Sequence, residues 1–290
     1  TRLTPTQDIA SPFVLNRLEF LGGGPYTTAF TIGGNPLQYV ANGATQPRIY
    51  LNRNASCAIN NAIDIPAGTT LFAEIGTYGV TLSGAITGGG AIDKQSQAGG
   101  LSLNNSANTF SGGLTVRAID NDWYKVNINA SNAMGTGPVS LYGGTLATNK
   151  VNPGGLNFYG NTTHTNVIRL FANSPIFAGM PNGTDAVTLN GDIDLNSYTL
   201  HLRGGGVGTI NGVISEGGAS ALTKSDAGTW TLGGANTFAG RVTLINGTIK
   251  LGTNGALDPQ VGVAFSCATG WYSVAHATFD LNGKSQTISQ

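Results

Sequence analysis

Ala235-Asn236-Thr237-Phe238-Ala239-Gly240-Arg241-Val242-Thr243-Leu244 lies over Ala107-Asn108-Thr109-Phe110-Ser111-Gly112-Gly113-Leu114-Thr115-Val116, 128 residues earlier in the chain. The match extends outward from that core. Gly84-Ala85-Ile86 pairs with Gly212-Val213-Ile214 at the same spacing, and Ala91-Ile92-Asp93-Lys94 pairs with Ala221-Leu222-Thr223-Lys224 at 130. Upstream, Tyr78-Gly79-Val80-Thr81-Leu82 matches Tyr198-Thr199-Leu200-His201-Leu202 at 120. Downstream, Asn132-Ala133-Met134-Gly135 matches Gly255-Ala256-Leu257-Asp258 near 123. Offsets that drift by a few residues and recover are what loop insertions produce in a repeat array. The two quasi-repeat units run over about 71–146 and 187–283.

Inside each unit the chain reads as short alternating strands. Val187-Thr188-Leu189 leads into Asn190-Gly191, and Asp192-Ile193-Asp194-Leu195 leads into Asn196-Ser197. Strand-like triplets recur every ~20–25 residues, the length of one coil of a solenoid. One such coil cannot bury its inward side chains alone. Stacking coils pairs each backbone N–H and C=O with the next coil, about 4.8 Å away. Inward positions are then aliphatic or aromatic, outward ones Thr, Ser and Asn, and Gly and Asn take the corners. The expected fold is therefore all-β, a parallel β-solenoid in a single domain over 1–290. A pair of β-sandwiches is the rival, and it accounts less well for the 128-residue offset.

Composition agrees. Of 290 residues, 44 are Gly, and the 14 basic and 14 acidic side chains make up only 10%, against roughly 25% in ordinary globular chains. Mean hydropathy is +0.02, so the missing charge is replaced by Asn, Thr, Ser and Gly. No helical periodicity persists over a dozen residues, and no apolar run approaches the ~20 residues of a membrane-spanning helix. Net charge is zero with scattered basic residues, which gives no electrostatic footprint for nucleic acid. The chain begins at Thr1 without Met, a basic segment or an apolar segment. That start suggests a removed targeting segment or a piece of a longer exported protein.

Asp226-Ala227-Gly228-Thr229-Trp230-Thr231-Leu232-Gly233-Gly234-Ala235-Asn236-Thr237-Phe238-Ala239-Gly240, continuing to Ile245-Asn246-Gly247-Thr248-Ile249, resembles the autotransporter-associated β-strand repeat, also called the passenger-associated transport repeat. The repeat residues are Trp230, Asn236, Thr237, Phe238 and Gly240. In the earlier copy they are Asn108, Thr109, Phe110 and Gly112, without the Thr-Trp step. The resemblance implies a right-handed parallel β-helix, exported and displayed outside the cell or on its surface. It brings no catalytic residues and no cofactor.

Other candidates for chemistry are sparse. Asp192 and Asp194 form a D-x-D pair whose carboxylates could share a strand face, as a polysaccharide-acting β-helix enzyme would need; the plainer expectation is a solvated face or corner. His164, His201 and His276 have no metal-spaced partner and are expected on outward strand or loop positions. No metal or cofactor site is expected, and the chain is read as a non-enzyme. The stretch Ala118-Ile119-Asp120-Asn121-Asp122-Trp123-Tyr124-Lys125-Val126 is the main insertion between the two copies. Its Asp120, Asp122, Trp123 and Tyr124 form a candidate contact loop for a glycan or cell-surface ligand. Cys57 and Cys267 are too many coils apart for an intrachain bridge. They are expected as free thiols, or as an inter-subunit pair between stacked copies. The leading expectation is an extracellular structural solenoid that builds a filament by end-to-end self-association. An adhesin is the alternative.

Overall fold

The computed structural model describes residues 4–22, 28–95, 98–117, 126–143, 155–180, 183–218, 220–266 and 276–289. No helix occurs among them, and every pairing between named strands is parallel. The chain is a β-solenoid with about 24 residues per coil. It divides into two compact units, Thr1–Ser140 with Leu146–Gly155, and Leu141–Thr145 with Leu156–Gln290.

In the first unit three parallel sheets climb side by side. One contains Phe30–Gly34, Cys57–Ile59, Val80–Leu82, Leu101–Leu103 and Val126–Ile128; a second contains Phe13–Leu15, Leu37–Tyr39, Ile63–Asp64 and Ile86–Thr87; the third contains Arg17–Gly22, Arg48–Arg53, Thr70–Ile75, Ala91–Lys94 and Leu114–Arg117. Side chains alternate across each strand, so Leu71, Ala73 and Ile75 point inward while Thr70, Phe72 and Glu74 point outward. Register then stacks like on like. Ile59, Leu82, Leu103 and Ile128 form one inward column, all at most 1% exposed. Burying each such side chain contributes about 1.5–3 kcal/mol. The same column keeps the next coil from slipping, because a one-residue shift would turn its apolar set outward.

The second unit repeats the plan. Its sheets include Ser174–Ala178, Thr199–Arg203, Ala221–Lys224 and Val242–Leu244; Ile168–Leu170, Ile193–Asp194 and Ile214–Ser215; and Asn161–His164, Ala186–Leu189, Val207–Ile210, Thr229–Leu232, Gly247–Leu251 and Ala277–Asp280. Gly208 lies level with Trp230. A Cβ at Gly208 would collide with the indole, so the bare backbone there leaves room for the ring. Short parallel strands, stacked register and Gly-rich corners all follow the sequence reading.

Candidate functional site

The repeat motif acts as a clamp between coils. Asn108 is buried, its Oδ1 accepting the Ile86 N–H at 2.8 Å and its Nδ2 donating to Ala133 O at 2.8 Å. Asn236 does the same in the other unit. Its Oδ1 accepts from Ile214 N at 2.7 Å, and its Nδ2 donates to Ala256 O at 2.7 Å. One amide therefore ties the coil below to the coil above. Only a short side chain carrying both a donor and an acceptor can do this; a carboxylate lacks the donor. The neighbouring Thr109 and Thr237 face outward and hold on through their backbones, N–H to Ile86 O at 2.8 Å and to Ile214 O at 3.0 Å. Phe110 and Phe238 return inward at 0% exposure. Gly112 and Gly240 sit where the chain presses closest on the coil below. A Cβ would stand 2.5 Å from Gly90 C at Gly112, and would collide with Ser220 O at Gly240. Trp230 fills the interior of its unit, and its indole N–H donates to Arg203 O at 2.9 Å.

Two lysines escaped the sequence reading. Lys94 and Lys224 occupy matching positions in the two copies and are 0% exposed. Lys224 Nζ donates to Ser225 O and Asp226 O at 2.6 Å and to Asn246 O at 3.1 Å; Lys94 Nζ donates to Gln95 O at 2.6 Å. Burial pushes both ammonium groups down to about 8, against the opposing pull of the adjacent Asp93 or Asp226. The available signal was parity. In Leu222-Thr223-Lys224 and Ile92-Asp93-Lys94, the lysine shares the inward side with the aliphatic residue. Beside Lys224, the buried Arg203 guanidinium forms a two-pronged pair with Asp226 at 3.0 and 3.1 Å, and Asp226 also accepts the Gly204 N–H at 2.9 Å.

One histidine expectation is corrected, and a second holds in direction but not in exposure. His164 is 1% exposed and points inward beside Phe158, ring centroids 4.9 Å apart, and among the described residues neither nitrogen has a hydrogen-bond partner. His201 lies on an outward position yet is only 8% exposed, because that face is covered: Phe177 and Arg203 on neighbouring outward positions are buried too. His276 is exposed, as expected. Burial holds His164 down to about 4, and burial with the nearby Arg203 charge does the same to His201.

These shifts fix a pH dependence. Between an unfolded value near 6.5 and a folded value near 4, the unfolded chain takes up protons that the folded chain refuses. Stability is therefore full above pH 6.5 and falls as the pH drops toward 4, by up to about 3 kcal/mol for each histidine. Melting curves at pH 7 and 4.5 are expected to show that loss in the second unit. His164→Leu is expected to remove its share and to raise stability at pH 7 by about 1–2 kcal/mol, since two unpaired nitrogens leave the core. A melting temperature flat over this range would count against the assignment.

The D-x-D carboxylates have separate structural duties. Asp194 pairs with Arg169 at 3.0 Å and caps the Asn196 N–H at 2.9 Å, while Asp192 accepts the Val213 N–H at 2.8 Å. Among the described residues no group of three or more His, Cys, Asp or Glu is placed to hold a metal, and no helix is long and apolar enough to cross a membrane. Cys57 is a free thiol, 2% exposed, level with Phe30 and Val80 on adjacent coils. A bond from Cys57 to another copy would require those coils to part. Cys267 lies outside the described residues, as does the contact loop of Asp120, Asp122, Trp123 and Tyr124. The strand that follows that loop, Val126–Ile128, contributes Asn127 to an open cleft of about 600 Å³ that also holds the exposed Tyr78.

Comparison with known proteins agrees with this geometry. The passenger-associated-transport-repeat family model matches residues 95–118 and 222–251, which contain both asparagine clamps. The adhesin BmaC autotransporter of Brucella suis biovar 1 (strain 1330) is 30% identical over 240 residues, covering 81% of this chain and 6% of that protein. The chain thus spans a small fraction of this relative's length. No solved structure matches the chain at a significant level. These matches place it outside the cell or at the cell surface.

Proposed function

Since the chain carries two passenger-associated transport repeats, we propose that it is a non-enzymatic structural section of an exported surface protein, and that its end coils accept a further coil, joining copies end to end into a fibre. What supports this reading is that the outermost described rungs leave inward apolar positions uncovered. Phe265 is level with Leu244, which is 0% exposed, yet Phe265 itself is 62% exposed. At the other end Phe13 and Leu15 are half-buried, while Leu37 and Tyr39, level with them on the next coil, are buried. Apart from a bridge between Gly262 and Ser289, Val263–Phe265 has no outer neighbour among the described residues. An edge that offers both unpaired backbone groups and apolar side chains is a template for another strand, and a head-to-tail contact that does not close gives a filament.

Sedimentation velocity and negative-stain microscopy of the isolated chain test this. Particles that lengthen with concentration are expected, and Phe265→Lys should shorten them. A monomer at every concentration would overturn end-to-end joining.

A second reading, adhesion, is supported by the relative's name and by the Tyr78–Asn127 cleft, whose Asn127 directly follows the insertion in sequence. On that reading a glycan array probed with the chain gives signal, and Trp123→Ala removes it.

A further inference from the structure

We propose that the first unit carries a binding groove for a neutral oligosaccharide on the outward face of Arg17–Gly22, Arg48–Arg53 and Thr70–Ile75, centred on Phe72 and Glu74. Charge is scarce in this chain, yet three consecutive rungs of this face collect Arg17, Glu19, Arg48 and Glu74. Two rings stand among them. Glu19, Tyr50 and Glu74 are level with one another, and so are Arg17, Arg48 and Phe72. By contrast, the outward column Thr31, Ala58, Thr81, Ser102 and Asn127 of the neighbouring sheet carries no charge, while on this sheet the next rung sets Asp93, paired with Arg117, level with Phe72.

One side of the groove is a raised turn. Asn42 and Thr45 exchange backbone hydrogen bonds of 2.9 and 3.0 Å around Gly43, whose φ of +57° closes the turn. Asn16 Nδ2 pins it by donating to Val40 O at 2.8 Å and Thr45 O at 3.1 Å. Between the turn and the sheet lies a cleft of about 510 Å³ lined by Arg17, Gln46, Arg48, Phe72 and Glu74. Gln46, which lines the cleft, is held by accepting the Thr70 N–H at 2.8 Å through its side-chain oxygen.

The charges are balanced and already ordered. Arg48 donates to Glu74 at 3.0 Å and to Glu19 at 3.2 Å, lies 5.2 Å from the Tyr50 ring centre, and Arg17 pairs with Glu19. Half-exposed ion pairs of this kind contribute little to stability, so folding alone does not account for gathering four charges here. Fixed guanidinium and carboxylate groups retain spare N–H donors and lone pairs, and a site that is ordered before binding loses less entropy on binding. A ligand that fits must bring an apolar face for the Phe72 ring, a rim of groups that both donate and accept, and no net charge. A pyranose meets all three needs. An anion would face Glu19 and Glu74, a cation Arg17 and Arg48. The two inner strands are paired on both sides, so this part of the face offers an extended peptide no free backbone edge. A shallow, single-ring site gives weak affinity, which multivalent surface display can amplify.

Saturation-transfer NMR on the whole 290-residue chain tests the groove, with maltotriose, cellotriose and chitotriose as neutral probes and a hyaluronan tetrasaccharide as an acidic one. At least one neutral trisaccharide is expected to bind with a Kd in the millimolar range or tighter. Phe72→Ala should weaken it by about tenfold or more with an unchanged melting curve, and Glu74→Gln should weaken it as well. Absence of binding by all three neutral probes, binding confined to hyaluronan, or binding unaltered by Phe72→Ala would each overturn the assignment. Binding lost in Trp123→Ala and kept in Phe72→Ala would overturn it too, moving the contact to the insertion. Phe265 lines no part of this cleft, so Phe265→Lys leaves this experiment untouched and end-to-end joining is judged separately.

Discussion

Asn236→Ala is expected to destabilise the second unit by about 1–3 kcal/mol, the usual cost of leaving one buried backbone group unsatisfied. Ile214 N loses its acceptor where water cannot replace the amide, while Ala256 O loses the shorter of its two bonds and keeps the one from the backbone N–H of residue 236 at 3.2 Å. Asn236→Asp keeps the acceptor and the shape but cannot donate to Ala256 O; it also sets a carboxylate against that carbonyl, so it should recover little. Asn108→Ala is expected to cost at least as much in the first unit, because there both Ile86 N and Ala133 O lose their bond to the amide. In a solenoid each coil contacts only its neighbours, and the two clamps lie 128 residues apart, so the effects should add in the double variant. Urea denaturation followed by circular dichroism measures this. A loss below about 1 kcal/mol for Asn236→Ala would mean that the clamp is incidental to the stack.

Asp226→Asn is expected to cost about 3–5 kcal/mol, the usual penalty for leaving a buried charge without its partner. Arg203 and Asp226 have side chains only 6% and 4% exposed, so water cannot take the place of the lost carboxylate. Asparagine is the informative replacement because Asp226 has a φ of +63°, which Asn tolerates; the measured loss then reports charge and not backbone strain. The exposed pair of Arg169 and Asp194, with side chains 52% and 33% exposed, supplies the contrast. Asp194→Asn should cost less than about 1 kcal/mol. Thermal melts of the two variants side by side decide the matter, and equal losses would refute the distinction between buried and exposed pairs drawn here.

Much of this architecture could be read directly from the residues. Wherever aliphatic side chains alternate with Thr or Ser, as in Val80-Thr81-Leu82, parity fixes which side faces inward, and the 128-residue offset places the clamps in equivalent coils. Parity was also sufficient to find Lys94 and Lys224, but a charged side chain is ordinarily assigned to solvent. What overrides that habit is backbone carbonyls turned toward the ammonium, those of Ser225, Asp226 and Asn246 for Lys224 and of Gln95 for Lys94, and the sequence does not display carbonyl directions. His164 failed for a different reason. Asn161-Thr162-Thr163-His164 contains no aliphatic residue to set the phase, so nothing local says that Thr162 and His164 share the inward side with Val187 and Leu189. His201 shows the limit of parity itself. Leu200 and Leu202 correctly place it outward, but an outward position becomes buried when another part of the chain covers that face. The sugar groove was invisible because its residues come from three coils separated by more than twenty residues each, and only register brings Arg17, Arg48 and Phe72 level.

The thiol of Cys57 gives the first unit a built-in clock. It sits between two coils and burial pushes it up to about 11, so a maleimide or disulfide reagent can reach it only during moments when the stack opens. With Cys267 replaced by Ser, the modification rate becomes a direct count of those openings. The same rate, followed under pulling force or in the Asn108→Ala chain, would tell how often these coils come apart without the unit ever unfolding.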